Sequence, residues 1–198
     1  MYALVESGTI TKYFNNPKGF TLEDLQYPAD IFMKWSVEEK EAIGIHEVVF
    51  DNSNFKDETW YINTNQAFAF VNDTVTASYG TATPKPHADV TETINGVQYT
   101  TPGLKTQLIK TLKSQVAGIL NNTDWYITRN AEKSTAIPSA ISTYRDSVRT
   151  KQAQMETAIT NASNTQALET LYTFVNTADE GDPQVIERPL GEFPELGS

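Results

Sequence analysis

An apolar side chain recurs at every fourth position between residues 104 and 120. The positions are Leu104, Leu108, Leu112, Val116 and Leu120. Because an α-helix has about 3.6 residues per turn, this spacing places all five side chains along one side of a helix. A helix that is apolar along one side must bury that side against other protein. The sequence therefore predicts a long amphipathic helix with a covered face.

Further helices follow in the same part of the chain. Proline suits the first helical turn, so a second long helix is expected near Pro138. Its apolar positions are Ile141, Tyr144, Val148, Met155, Ile159 and Ala162. Asn164 can cap a third helix, which would carry Leu168, Leu171, Tyr172 and Val175. Together these segments predict a helical hairpin or a small bundle.

The corner between the first two long helices has a dense sequence of its own. Thr123 or Asp124 can start a short helix there, and a negative charge is favourable in its first turn. We expect Trp125 and Ile127 to pack onto Ile141 and Tyr144 across this corner. Buried aromatic side chains of this kind usually hold a structure together rather than form a site.

The first hundred residues follow a strand pattern instead. A hairpin is predicted over residues 2–13 with Gly8 in its turn, and a short helix is predicted to open at Ser36 and to end at Gly44. Residues 60–79 read as a meander, and Asn95-Gly96 favours a tight hairpin turn. The predicted fold class is therefore α+β, with a small β-rich domain before the helical segment.

Charge divides the chain into the same segments. Residues 1–100 carry 6 basic and 14 acidic groups (−8), and residues 101–176 carry 8 basic and 5 acidic groups (+3). Residues 177–198 carry 1 basic and 6 acidic groups (−5) and three prolines. We interpret residues 1–100 as the β-rich domain, 101–176 as the helical segment and 177–198 as an extended acidic tail. Its apolar anchors would be Leu190, Phe193 and Leu196.

Composition excludes several classes of function. The chain has no cysteine, which rules out disulfide bonds, thiol catalysis and cysteine zinc sites. Its formal charge of −10 opposes binding to nucleic acid or to an anionic membrane. No apolar run approaches the roughly 18 residues of a membrane helix. The first residues lack the pattern of a secretory signal, so synthesis in a cytoplasm is expected.

Catalytic and ligand-binding patterns are also missing. No phosphate-binding loop, hydrolase elbow or zinc-protease motif occurs. His46 and Glu47 are neighbours on a predicted strand, so their side chains point to opposite faces. We interpret His46 as a surface or edge-strand histidine, and His87 as part of a polar loop. The sequence predicts no catalytic residue, no metal ligand and no cofactor.

Two arginines on the second long helix allow two interpretations. Arg145 and Arg149 lie four residues apart, so they share one side of the helix. They could pair with Asp124, Asp146 or the acidic tail. Alternatively, they could clamp a phosphate or a carboxylate.

The helical segment contains a distinctive sequence pattern between residues 119 and 149. It runs Ile119-Leu120-Asn-Asn-Thr-Asp124-Trp125 and continues with Arg129, Glu132, Pro138, Tyr144-Arg145 and Arg149. This pattern resembles the C-terminal segment of bacteriophage tail assembly chaperone and tail-fibre-associated proteins. Residues 1–13 also look like the start of such proteins, in which a small β-rich domain precedes the helices. Residues 60–100 have no counterpart in the resemblance.

The resemblance implies a non-enzymatic structural component of the virion tail, near the baseplate or the tail fibres, assembled in the bacterial host cytoplasm. Its partners would be baseplate or fibre subunits and further copies of the chain, since the +3 helical segment and the −5 tail are complementary. A homo-oligomer is therefore expected. The predicted contact residues are Trp125, Tyr144, Arg145, Arg149, Leu190, Phe193 and Leu196.

Two alternatives stay open at this point. One is a tail or tail-fibre assembly chaperone that is absent from the mature virion. The other is a carbohydrate-binding module in the β-rich domain, where Trp35, Trp60 or Tyr61 could stack on sugars.

Overall fold

The computed structural model describes residues 1–197. The fold is α+β, with a β-rich N-terminal region that contains a curled sheet and a helical C-terminal region, as the sequence predicts. The strands are β1 (Tyr2–Glu6), β2 (Thr9–Phe14), β3 (Phe20–Leu22), β4 (Leu25–Tyr27), β5 (Ile45–Asp51), β6 (Tyr61–Ile62), β7 (Gln66–Val71), β8 (Thr74–Tyr79), β9 (Thr83–Pro84), β10 (Val90–Ile94), β11 (Val97–Thr101), β12 (Val175–Asn176) and β13 (Ile186–Glu187). The helices are α1 (Ile31–Lys34), α2 (Val37–Glu41), α3 (Leu104–Asn121), α4 (Asp124–Lys133), α5 (Ser139–Asn161) and α6 (Thr165–Tyr172).

The chain divides into two compact units, one ending at Thr83 and the other beginning at Pro84. Composition placed the boundary between residues 100 and 101 instead. The difference arises because Pro86, His87 and Asp89 are hydrogen-bonded to the start of α3. Leu104 N–H donates to Pro86 O and Lys105 N–H donates to His87 O, each at 3.0 Å. Charge composition does not report such bonds.

The first unit is built on a five-stranded sheet with the order β2-β1-β5-β8-β7. The predicted β1–β2 hairpin is present, and Gly8 in its turn has a φ of 78°. The predicted capping box at Ser36 also forms, with Glu39 as its partner. The meander predicted over residues 60–79 is present only in part, because β7 and β8 pair antiparallel but β6 pairs with β9 in a separate sheet. In addition, β5 and β8 pair in parallel. A parallel pair needs a long crossover, which the residues between Asp51 and Thr74 supply.

Apolar side chains cover both faces of this sheet. Successive residues of a strand point to opposite faces, so Leu4 and its neighbours on β1 enter different clusters. One cluster contains Leu4, Phe14, Phe20, Ile31, Phe32 and Ile45. The other contains Ala3, Val5, Val48, Val75 and Ala77. The first unit therefore has apolar packing on two sides of a single sheet.

His46 lies in this packing, so its interpretation as a surface or edge-strand histidine was wrong. It is 8% exposed on the central strand β5, and its ring lies 4.9 Å from that of Phe70. The period-two argument itself was correct, since Glu47 beside it is exposed. The error came from taking β5 as an edge strand.

The second unit contains α3 to α6, with α3 packed against α5. The predicted stripes are mostly buried: Leu104, Leu112 and Val116 on α3, and Ile141, Val148, Met155 and Ile159 on α5. Their other members Leu108, Leu120 and Tyr144 are half-buried. Asn164 caps α6 by accepting from Ala167 N–H at 2.8 Å, as predicted. Val175 is not helical, because α6 ends at Tyr172 and an extended segment follows. Among the described residues, none of the helices has the length and apolar content needed to cross a bilayer.

Gly44 provides a test of the first unit. Its φ is +78°, and a Cβ there would overlap Val5 O. Gly8 has the same φ but nothing within 4 Å of its Cβ position. We expect Gly8→Ala to lower the free energy of unfolding by about 1 kcal/mol, which is the cost of left-handed backbone for alanine. Gly44→Ala should cost about 3 kcal/mol, because overlap with a rigid backbone is added.

Urea unfolding curves of both variants measure these losses. Amide exchange of Val5 reports on the contact at Gly44 itself, since Val5 N–H donates to Gly44 O at 2.7 Å. Equal losses for the two variants would show that the close approach at Gly44 does not constrain the unit.

Candidate interaction surface

A buried arginine joins the corner of α3 and α4 to α5. The side chain of Arg145 is 7% exposed. One guanidinium nitrogen donates to Leu120 O at 2.9 Å and to Thr123 Oγ1 at 2.6 Å. The same nitrogen lies 2.8 Å from Asp124 Oδ1. We call this arrangement the arginine lock. It fixes the end of α3 and the start of α4 onto a single point of α5.

The local sequence explains the lock. α3 ends at Asn121, and its last carbonyl groups have no partner within the helix. Thr123 does not cap α4 with its side chain; its hydroxyl donates to Leu120 O at 2.9 Å and accepts from Arg145. Asp124 lies in the first turn of α4, where it also faces the positive end of the helix dipole. The Thr-Asp and Tyr-Arg parts of the sequence motif therefore meet in space.

The predicted pairing of the two arginines is confirmed. Arg145 pairs with Asp124, and Arg149 pairs with Asp146 at 3.3 Å. Because the Arg145 guanidinium is buried and engaged within the chain, it is not available to clamp a phosphate or a partner's carboxylate. Arg149 is half exposed and stays accessible.

Burial of Trp125 and Ile127 was a wrong expectation. They are 50% and 41% exposed, and no residue of α4 is buried. The interior of the corner is instead occupied by polar groups, because Thr123 and Arg145 are 2% and 6% exposed. A ten-residue helix is marginal in water on its own. The arginine lock holds this one at its first turn.

Trp125 forms a cluster with its neighbours on α4. Its ring centroid lies 3.8 Å from that of Tyr126. The Arg129 guanidinium lies 4.7 Å from the Trp125 ring and 5.4 Å from the Tyr126 ring. Within residues 1–197, Arg129 forms no ion pair, and its Nε has no hydrogen-bond partner. Trp, Tyr and Arg are the residues most enriched at energetically important interface positions. We call these three side chains the aromatic–arginine cluster.

The tail lies against helices of its own unit. Leu190 is 4% exposed, and its N–H donates to Leu171 O at 3.0 Å. Phe193 is half-buried in a groove beside Ile119, and Leu196 is 44% exposed. Leu190 is thus an anchor within the chain, whereas Leu196 is free to contact a partner.

Arg188 organises the start of this tail. It pairs with Glu192 at 2.6 Å and lies over the rings of Tyr172 and Phe174. Burial raises the pKa of Tyr172, and the charge of Arg188 opposes that rise. Of the other predicted contact residues, Tyr144 is half-buried on α5.

The sequence did not single out the hairpin of β10 and β11 as a contact surface. All ten strand residues are exposed. Its base is fixed, because the Asp89 carboxylate accepts from Gly103 N–H at 2.8 Å and from the Thr106 hydroxyl at 2.7 Å. The signal available in the sequence was the period-two alternation on both sides of Asn95-Gly96.

Groups suited to chemistry are scarce in the described chain. Residues 1–197 contain no group of three or more His, Cys, Asp or Glu that could hold a metal ion. Trp60 and Tyr61 are 5% and 4% exposed, so neither ring can stack on a sugar. Trp35 is half-buried and lies edge-on to Tyr27, with ring centroids 6.0 Å apart.

Comparisons with protein-family models, with curated proteins and with solved structures find no match. The family resemblance of residues 112–159 therefore stays a prediction from the motif.

Removing the arginine lock should destabilise the helical unit. Arg145→Met is expected to lower the free energy of unfolding by about 2–4 kcal/mol, because buried polar partners lose their donor. The control is Arg149→Met, whose exposed ion pair should contribute less than about 0.5 kcal/mol. Urea unfolding monitored by far-UV circular dichroism reports on the stability of the helices. Similar losses in both variants would contradict a structural role specific to Arg145.

The hydrogen bonds that Asp89 accepts at the base of the hairpin can be tested through its pKa. Hydrogen bonds from the Thr106 hydroxyl and then from Gly103 N–H lower the pKa of Asp89. A carboxyl with a lowered folded pKa adds stability above its unfolded pKa, and that stability is lost as the pH falls through the folded value. NMR titration should find the pKa of Asp89 below the ordinary value of about 3.9. Thr106→Val should move it back toward that value; no movement would exclude the hydroxyl as the main cause.

Proposed function

We propose that this protein is a non-enzymatic structural component of a bacteriophage tail, positioned near the baseplate or the tail fibres. It works through protein–protein contacts and in several copies. It is assembled in the cytoplasm of the bacterial host and kept in the virion. The proposal combines the motif resemblance with the geometry of the helical unit.

The aromatic–arginine cluster is the observation that carries the proposal. Trp125 and Arg129 are presented on a helix that buries no residue of its own. The Trp125 ring is 50% exposed, and covering a large apolar ring lowers the free energy of the system. A contact protein accounts for this arrangement, because its partner would cover the ring and supply an anion to Arg129.

The motif gains a physical meaning under this proposal. Thr123, Asp124 and Arg145 fix the first turn of α4, and Trp125 follows directly after the lock. The lock thus holds a contact residue in one place without using a buried aromatic. Preorganisation of this kind lowers the entropic cost of ordering a contact residue on association.

The two alternative functions, a carbohydrate-binding module and an assembly chaperone, differ in the support that they have. A carbohydrate-binding module loses support, because two of its three candidate aromatic rings are buried. An assembly chaperone would use the same contact surface but would leave the particle. No contact in residues 1–197 favours it over a virion component.

Quantitative mass spectrometry of purified particles tests the proposal. We expect the chain at a stoichiometric ratio to known tail subunits. Absence from particles whose assembly nonetheless requires the protein would overturn the structural role in favour of the chaperone. Absence from particles that assemble without the protein would overturn any tail role.

A matched pair of variants links the tail role to the surface. Trp125→Ser should remove the protein from particles or reduce their yield by at least about tenfold, as loss of a central interface aromatic does. Thr128→Ala, an exposed change on the same helix, should leave incorporation unchanged. Folding of both variants is checked by circular dichroism. Normal incorporation of folded Trp125→Ser would show that this cluster is not the contact.

A further inference from the structure

The β10–β11 hairpin has two different faces. The register pairs Val90 with Thr101, Glu92 with Tyr99, and Ile94 with Val97, so these side chains share one face. The opposite face is polar throughout and consists of Thr91, Thr93, Gln98 and Thr100. On that polar face the Thr91 and Thr100 hydroxyls are hydrogen-bonded at 3.0 Å. The apolar members of the first face are Val90, Ile94, Val97 and Tyr99. We call it the apolar hairpin face.

Much of this face is exposed within the described chain, although Val90 at its base is only 37% exposed. Ile94 and Val97 are each 53% exposed, and Tyr99 is 54% exposed. An isolated two-stranded hairpin is marginally stable in water and normally packs its apolar side on other protein. Yet this hairpin is regular, with a tight turn at Asn95-Gly96 and a base fixed by Asp89. The arrangement points to an occupant that lies outside the single chain.

The charge on the face restricts the occupant. Glu92 lies in its centre, opposite Tyr99. Two copies joined symmetrically by this face would bring their Glu92 carboxylates together, which is unfavourable in a partly dry contact. The occupant should therefore be apolar and should carry a positive charge.

The same chain carries a groove with these properties on α3. This groove is shallow and open, because it runs between side chains of a single helix: Thr106, Ile109, Lys110, Lys113, Ser114 and Ala117. Lys113 Nζ lies 3.8 Å from Glu156, and Lys110 forms no ion pair within residues 1–197. The groove is thus apolar along Ile109 and Ala117 and carries two lysines at its side.

The dimensions of the two surfaces agree. A five-residue strand is about 17 Å long at roughly 3.4 Å per residue. The twelve residues of α3 from Thr106 to Ala117 extend about 18 Å at roughly 1.5 Å per residue. One hairpin can therefore lie along the whole groove.

We propose that the apolar hairpin face of one copy docks into the α3 groove of a second copy, with Glu92 beside Lys110 and Lys113. Each copy offers one hairpin and one groove, so two copies can exchange hairpins about a two-fold axis, or the contact can build a ring or an open row. We expect a contact made by two five-residue strands to cover less than the roughly 800 Å² per partner of a stable dimer. Association is therefore weak and reversible, with a Kd on the order of 100 μM.

Sedimentation velocity of the full-length protein over a wide concentration range tests the contact. The wild-type chain should shift from monomer to larger species as concentration rises. Ile94→Thr with Val97→Thr should abolish the shift while keeping β-branched residues in the strands. Gln98→Thr, on the polar face, should leave it intact. A wild-type chain that stays monomeric at millimolar concentration overturns the proposal and leaves a different protein as the occupant.

Exchanging the charges distinguishes this groove from any other self-contact. Glu92→Lys alone and Lys110→Glu with Lys113→Glu alone should each raise the Kd at least about tenfold, because like charges would meet at the contact. An equimolar mixture of the two variants should associate like wild type, since each hairpin then finds a groove of opposite charge. Circular dichroism checks their folding. Failure of the mixture while wild type associates would place the contact elsewhere.

This inference deepens the proposed contact function by naming a second copy as one partner. Its test needs only purified protein, so it can fail while the chain is still found in tail particles. Conversely, self-association can hold for a protein that is absent from every particle.

Discussion

The helical unit depends on one buried guanidinium. Transferring Arg145 out of water costs several kcal/mol, and that cost is offset only when hydrogen bonds and an opposite charge surround the group. Leu120 O, Thr123 Oγ1 and Asp124 Oδ1 provide both within 2.9 Å, although the Nε atom has no partner. Since these three acceptors come from the end of α3 and the start of α4, satisfying one charge determines the path of the chain between the two helices.

The same principle appears at the base of the β10–β11 hairpin. There the Asp89 carboxylate accepts from Gly103 N–H and from the Thr106 hydroxyl, which joins the hairpin to the first turn of α3. In both places a short polar anchor at one end holds an element that has little buried surface of its own. Such an element keeps its position while its apolar side chains stay in water. This combination is useful for contact with other chains and contributes little to the stability of a monomer.

Sequence periodicity predicted the parts of the fold that depend on local spacing. The stripes of α3 and α5, the Asn164 cap and the Gly8 turn all follow from residues within one or two turns of each other. The parallel pairing of β5 with β8 and the burial of His46 depend on contacts between distant segments, which spacing does not encode. The corner shows the limit most clearly. An aromatic residue was expected inside it, but a threonine and an arginine 22 positions apart fill it through a hydrogen bond.

Long-range repulsion between copies opposes self-association, whereas short-range charge pairing at the contact directs it. A formal charge of −10 makes copies of the chain repel one another at distances beyond contact. The pairing of Glu92 with the two α3 lysines acts only at close range. Added salt screens the long-range repulsion most strongly, because those charges are separated by more than the Debye length of about 10 Å at 0.1 M. Moderate salt should therefore strengthen the docking of hairpin into groove, and only higher concentrations, which also screen charges in contact, should weaken it.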